Sequence, residues 1–74
     1  MEKKSPLAQK FGDEVRRLRH ERGLSQEELS FRCGRSLNFV SEIETGKRNP
    51  SLDTIGAICG ALEVTLAEFF RGFG

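Results

Sequence analysis

One helix-start signal occurs twice in this chain of 74 residues, and it constrains the fold more than any other feature. In Leu24-Ser25-Gln26-Glu27-Glu28-Leu29 a hydroxyl stands three residues before a carboxylate, so each side chain can take up the other residue's exposed backbone N–H. Leu24 is placed to clasp Leu29 across the turn. Val64-Thr65-Leu66-Ala67-Glu68-Phe69 repeats the arrangement. One capped helix therefore opens near residue 26 and another near residue 66, and the rest of the chain has to be divided around them.

Serine and glycine make the division. Ser5-Pro6 reads as an N-cap with proline at the first helical position, and Leu7, Phe11, Val15 and Leu18 follow at helical spacing. This predicts a first helix over about 6–22, ended by Gly23, with Gly12 a mild weakness inside it. The second helix covers about 26–33 and stops at Gly34. Ser36 caps a third over about 37–45, with Val40 and Ile43 turned inward, Phe39 or Leu37 beside them, and Gly46 as a left-handed exit. Ser51 caps a fourth whose Leu52, Ile55, Ile58, Cys59 and Leu62 share one broad face, and the fifth closes by Gly72. β-Branched residues are few and nowhere alternate. The expected fold class is all-α, a compact five-helix domain spanning 1–74, with its core over about 6–71 and a short N-terminal arm at 1–5. Short turns between the helices force tight packing.

At 8.3 kDa the chain has no room for a second core or a deep catalytic pocket. No apolar run approaches the roughly 18 residues of a membrane helix, and the charged start has no apolar stretch behind it, unlike a secretory signal. No membrane partner and a cytoplasmic location are the expectations. Cys33, Cys59 and the single His20 form neither a CxxC pair nor a zinc spacing. The cysteines read as reduced thiols packed like small apolar residues, with no metal and no cofactor. Glu27 with Glu28, and Glu42 with Glu44, are neighbours that do not face each other on a helix, so neither pair is a carboxylate dyad and the chain is not read as an enzyme. The net charge of +1 is unremarkable, but it is unevenly spread. Residues 1–48 hold eleven Lys/Arg against eight Asp/Glu, and 49–74 hold one against three, so the first two thirds is the side suited to an anionic partner.

The second and third helices, joined by a turn at Gly34, follow the helix-turn-helix plan, in which the second helix enters a major groove and the first lies across the phosphates. Any small helical bundle contains such a pair, so the plan alone leaves the matter open. The residues narrow it. Arg-His-Glu-Arg-Gly-Leu-Ser-Gln-Glu-Glu-Leu at 19–29, Cys-Gly at 33–34, Phe-Val-Ser-Glu-Ile-Glu at 39–44 and Gly-Lys-Arg-Asn-Pro-Ser-Leu at 46–52 resemble the Cro and phage-repressor helix-turn-helix family, also called the xenobiotic-response-element family. The resemblance covers about residues 10–70. Its small free-standing members include the controller proteins of restriction-modification systems, to which the likeness is looser.

The resemblance implies a lambda-repressor-like DNA-binding fold and a sequence-specific regulator of transcription. Such a protein binds double-stranded DNA as a homodimer on a near-palindromic operator, is bacterial or phage-encoded, and works at the nucleoid without a small-molecule effector. An antitoxin or adaptor that binds a partner protein is the alternative. Leu37, Asn38, Ser41 and Glu42 match base-edge positions: Asn suits adenine, Leu a thymine methyl and Glu a cytosine amino group. For Glu42 a solvated carboxylate that meets no base stands beside that reading, and Phe39 is read as core rather than groove. Ser25, Gln26, Arg35, Ser36, Thr45, Lys47, Arg48 and Asn49 match phosphate-gripping positions. Arg19 and Glu44 match an internal ion pair that leaves Arg19 near a phosphate. Phe69, Phe70 and Phe73 are expected at the dimer interface, because so short a domain has little core left for three more aromatics. Three departures from the family pattern stand out: Arg35 in place of an apolar turn residue, Glu63 in place of the glycine after the fourth helix, and glycines at 56 and 60 on an exposed stripe.

Overall fold

In a computed structural model, residues 5–73 are described, and they form helices α1 (Pro6–Glu21), α2 (Gln26–Cys33), α3 (Leu37–Glu44), α4 (Leu52–Leu62) and α5 (Leu66–Phe70), then a 3-10 turn at Arg71–Phe73. The N-terminal arm expected at 1–5 lies, but for Ser5, outside the described residues. Each of the five helices opens on a hydroxyl that accepts the N–H three residues ahead: Ser5, Ser25, Ser36, Ser51 and Thr65. Both capping boxes are closed in both directions, Glu28 taking the Ser25 N–H and Glu68 the Thr65 N–H at 2.8 Å each. Arg22 and Thr45 are C-caps rather than helical residues, so α1 and α3 each stop one residue earlier than the spacing predicts.

Gly34 and Gly46 leave their helices at φ +69° and +75°, conformations that cost an L-residue roughly 1–2 kcal/mol. Glu63 adopts the same left-handed exit from α4 at φ +60° although it has a side chain. Arg22 braces that exit: its Nε donates to the Leu62 carbonyl at 2.8 Å and its Nη2 to the Glu63 carbonyl at 3.3 Å. The turn therefore keeps its left-handed form without glycine, tied to the end of α1.

Phe11, Val15 and Leu18 of α1, Leu29 of α2, Val40 and Ile43 of α3, Ile58 and Leu62 of α4 and Phe69 of α5 make one core. Within it α3 is gripped by α1 and α2, and α4 packs mainly on α2. Gly12, expected as a weak point, is a close approach of α1 to the α3 backbone: a Cβ there would sit 2.2 Å from the Ile43 carbonyl oxygen. Two residues of the expected inward stripes of α1 and α4 are exposed instead. Leu7 is 66% exposed and Leu52 is 80% exposed, because each lies in the first turn of its helix while the buried stripe begins with Ala8 on α1 and Thr54 on α4. Cys33 and Cys59 are free and buried, and burial pushes both thiols up from their ordinary pKa.

The three C-terminal aromatics do not act together as an outer surface. Phe69 is fully buried, its ring 4.9 Å from Phe11 inside the same chain, which corrects the expectation that it offers an interface. Phe70 packs against Phe69 and Phe73 and remains 37% exposed, and Phe73, half-buried, closes the cluster. A core this small does absorb most of the extra aromatic surface, by stacking the rings on one another.

Candidate nucleic-acid interface

α3 buries Val40, Ile43 and Glu44, which turns the opposite side, with Asn38, Glu42 and Thr45, toward solvent. Asn38 and Leu37 are exposed, and Ser41 and Glu42 are half-buried along the flanks. The helix is held at this angle by a buried carboxylate. Glu44 receives Arg19 Nε at 2.7 Å on one oxygen and Arg19 Nη2 at 3.0 Å on the other, and Gln26 Nε2 at 3.0 Å joins the second. α1, α2 and α3 thus meet at one side chain. Arg19 also donates to the Leu24 carbonyl at 2.9 Å and is only 8% exposed. It is largely enclosed by its own chain, and its guanidinium is spent chiefly on the Glu44 ion pair that the resemblance implies.

The residues set out for phosphate divide into three groups. Ser25 and Ser36 use an oxygen lone pair to cap α2 and α3, at 3.0 Å each; the Ser36 hydroxyl proton is left to donate outward, while the Ser25 hydroxyl also faces the Glu28 carboxylate. The first N–H groups of α2 and α3 point the same way, as helix starts do. Gln26 keeps one amide N–H after its bond to Glu44. Lys47 and Asn49 are exposed in the turn that follows α3, and Arg35 is exposed ahead of it with a long 3.4 Å contact to Thr54. Thr45 is different: its hydroxyl donates back to the Ser41 carbonyl at 3.0 Å, so its side chain holds no proton for a phosphate, which brings none of its own.

Arg48 is different again. Its Nε and Nη2 both donate to Glu42 Oε1, at 2.9 and 2.6 Å, and its guanidinium lies 4.8 Å above the Phe39 ring. The spacing of 42 and 48 gives no hint of this, since residues six apart on a helix face different ways. They meet because Gly46 reverses the chain at its positive φ and folds the turn back along α3. Phe39 packs against the core at its base and carries Arg48 on its face, with Arg35 at 5.8 Å on the same ring.

Two capped helices joined by a glycine turn, the second locked by a buried ion pair with its polar row outward, define a helix-turn-helix domain. The chain belongs to the helix-turn-helix domain family, whose profile matches residues 10–69. It is 46% identical over 55 residues to the control protein C.BamHI of Bacillus amyloliquefaciens, covering 73% of this chain and 68% of that one. It superposes on the restriction-modification controller protein C.AhdI of Aeromonas hydrophila with a TM-score of 0.85 at 39% identity, covering 89% of this chain and all of that one. The controller protein C.Esp1396I, solved as a tetramer in complex with its natural 35 base-pair operator, superposes with a TM-score of 0.86 at 30% identity, covering 90% and 89% of the two chains.

Proposed function

We propose that this protein is a sequence-specific, double-stranded-DNA-binding regulator of transcription. It acts as a homodimer on a near-palindromic operator, with α3 in the major groove and the start of α2 across the phosphates. The observation that carries this reading is the Glu44 junction. A buried carboxylate joining three helices costs desolvation that apolar residues of the same volume would avoid. It is sensible where the angle of α3 matters more than stability. That C.Esp1396I was solved in complex with its natural operator supports double-stranded DNA as the partner. Asn38 and Leu37 stand where they meet base edges, and Ser25, Gln26, Arg35, Ser36, Lys47 and Asn49 grip the backbone on either side. The two α3 helices of a dimer then lie about 34 Å apart, one turn of the duplex. The finer role is that of a controller of restriction-modification genes, and a methylase and a nuclease encoded beside this protein would support it.

Enrichment of bound duplexes from a random pool tests the reading. A two-fold motif should emerge, and log affinity for it should fall with log salt at a slope near −0.9 per neutralised phosphate. Failure to enrich any sequence, or affinity indifferent to salt, overturns it.

A further inference from the structure

The Glu42–Arg48 pair is not explained by phosphate binding. A guanidinium already matched by a carboxylate brings almost no net charge to a polyanion, and Glu42 itself would repel one. The contact is also better built than a solvated surface pair needs. The Arg48 guanidinium lies over the Phe39 ring at 4.8 Å while both Nε and Nη2 converge on a single oxygen of Glu42. An arginine has five N–H donors arranged as a side fork, Nε with Nη2, and an end fork, Nη2 with Nη1. Glu42 occupies the side fork and leaves the end fork open. Two parallel donors at that spacing match the O6 and N7 acceptors of guanine in the major groove. Glu42 stands on α3 one turn after Asn38, and the pair brings Arg48, from the turn that follows, to the flank of the helix proposed to enter that groove.

We infer that Arg48 is a base-reading residue specific for guanine, and that Glu42 and Phe39 are positioning residues that hold its guanidinium in register. This reassigns Arg48 from the phosphate grip and Glu42 from direct contact with cytosine, and it rests on the DNA-binding reading above. It also gives the chain a way to specify a G·C pair that neither Leu37 nor Asn38 provides. Stacking on Phe39 limits the rotamers open to a long side chain, so less freedom is lost when the fork docks.

The test compares wild type, Arg48→Lys, Arg48→Ala, Glu42→Gln and Lys47→Ala in selection from a random duplex pool. Affinities are then measured across a salt series for the selected operator and for versions with one base pair changed. Wild type should discriminate roughly 10- to 100-fold at one G·C pair per half-site, the range a bidentate base contact supplies. Arg48→Lys keeps the charge and loses the fork, so it should lose that discrimination while the salt slope stays as in wild type. Arg48→Ala should do the same. Lys47→Ala should lower the slope by about 0.9 and leave the motif intact. Glu42→Gln should blur the same G·C position and bind unselected DNA more tightly. Thermal melts of the free variants verify that each is folded. If Arg48→Lys selects the wild-type motif with undiminished discrimination, or Arg48→Ala lowers the slope with the motif unchanged, Arg48 is a phosphate contact and the inference fails alone. If wild type enriches no sequence, the DNA-binding reading fails first.

Discussion

Glu44 shows what one side chain can hold together. It is 2% exposed and takes three donors, from Arg19 and Gln26. Removing one partner of a buried pair strands the other charge, at a cost of about 3–5 kcal/mol, a large part of what a domain of this size has. Arg19→Met and Glu44→Leu should each lower the urea midpoint severely. The double variant, which leaves no buried charge, should recover much of the loss, and an additive result would argue against the pair. Nothing in the local sequence joins positions 25 apart, so this contact was legible only through the family resemblance. The Glu42–Arg48 contact was not legible at all, because it depends on the path of the chain through Gly46. Phe69 lies in the core for a related reason: its burial is completed by Phe11, far away in sequence, although its place opposite Val64, like that of Leu29 opposite Leu24, already turns it inward.

Helix starts were the most readable elements, since a cap is made within three residues of itself. The capping boxes carry a measurable pH signature. Hydrogen bonds from the Ser25 and Thr65 backbone, then from the same residues' side chains, hold the Glu28 and Glu68 carboxyls below the ordinary 4.5. A carboxylate whose pKa is depressed on folding stabilises the fold above its unfolded value and loses that contribution as pH falls through the folded one. The melting temperature should therefore decline below about pH 4.5, and less steeply in Glu28→Gln/Glu68→Gln, which keeps acceptors that do not titrate. Which side of each helix faces inward was less readable at the ends, as Leu7 and Leu52 show, because only the assembled neighbours decide where a stripe begins. Glycines separate the two kinds of information. Gly60→Ala meets nothing within 4 Å and should stabilise the isolated chain by up to about 1 kcal/mol. Gly12→Ala has the same helix propensity to gain yet drives a methyl into the α3 backbone, so it should destabilise the fold and weaken operator binding. Denaturation midpoints of the two variants, side by side, check the contrast.

For the molecule as a whole, the fold class and the helix order follow from the sequence, whereas the surface of the proposed dimer does not. Once Phe69 is assigned to the core, Phe70 is the aromatic left at the rim, beside the exposed Leu7 and the partly buried Ile55 and Phe73 in a shallow apolar cleft. Phe70→Asp should leave the chain folded and shift sedimentation from dimer to monomer at tens of micromolar. If the variant sediments as wild type does, the dimer forms elsewhere, and the glycine face of α4 is the next to test. The capping of every helix within its own first turn also has a consequence in time. At about 5–20 residues per second a chain of this length takes roughly 4–15 s to synthesise, while helical domains built on near-neighbour contacts fold in about microseconds to milliseconds. Folding of each copy is thus far faster than its synthesis. The delay before the proposed dimer acts is then set by how quickly enough copies accumulate to find one another, so the gene's own expression rate would serve as the clock.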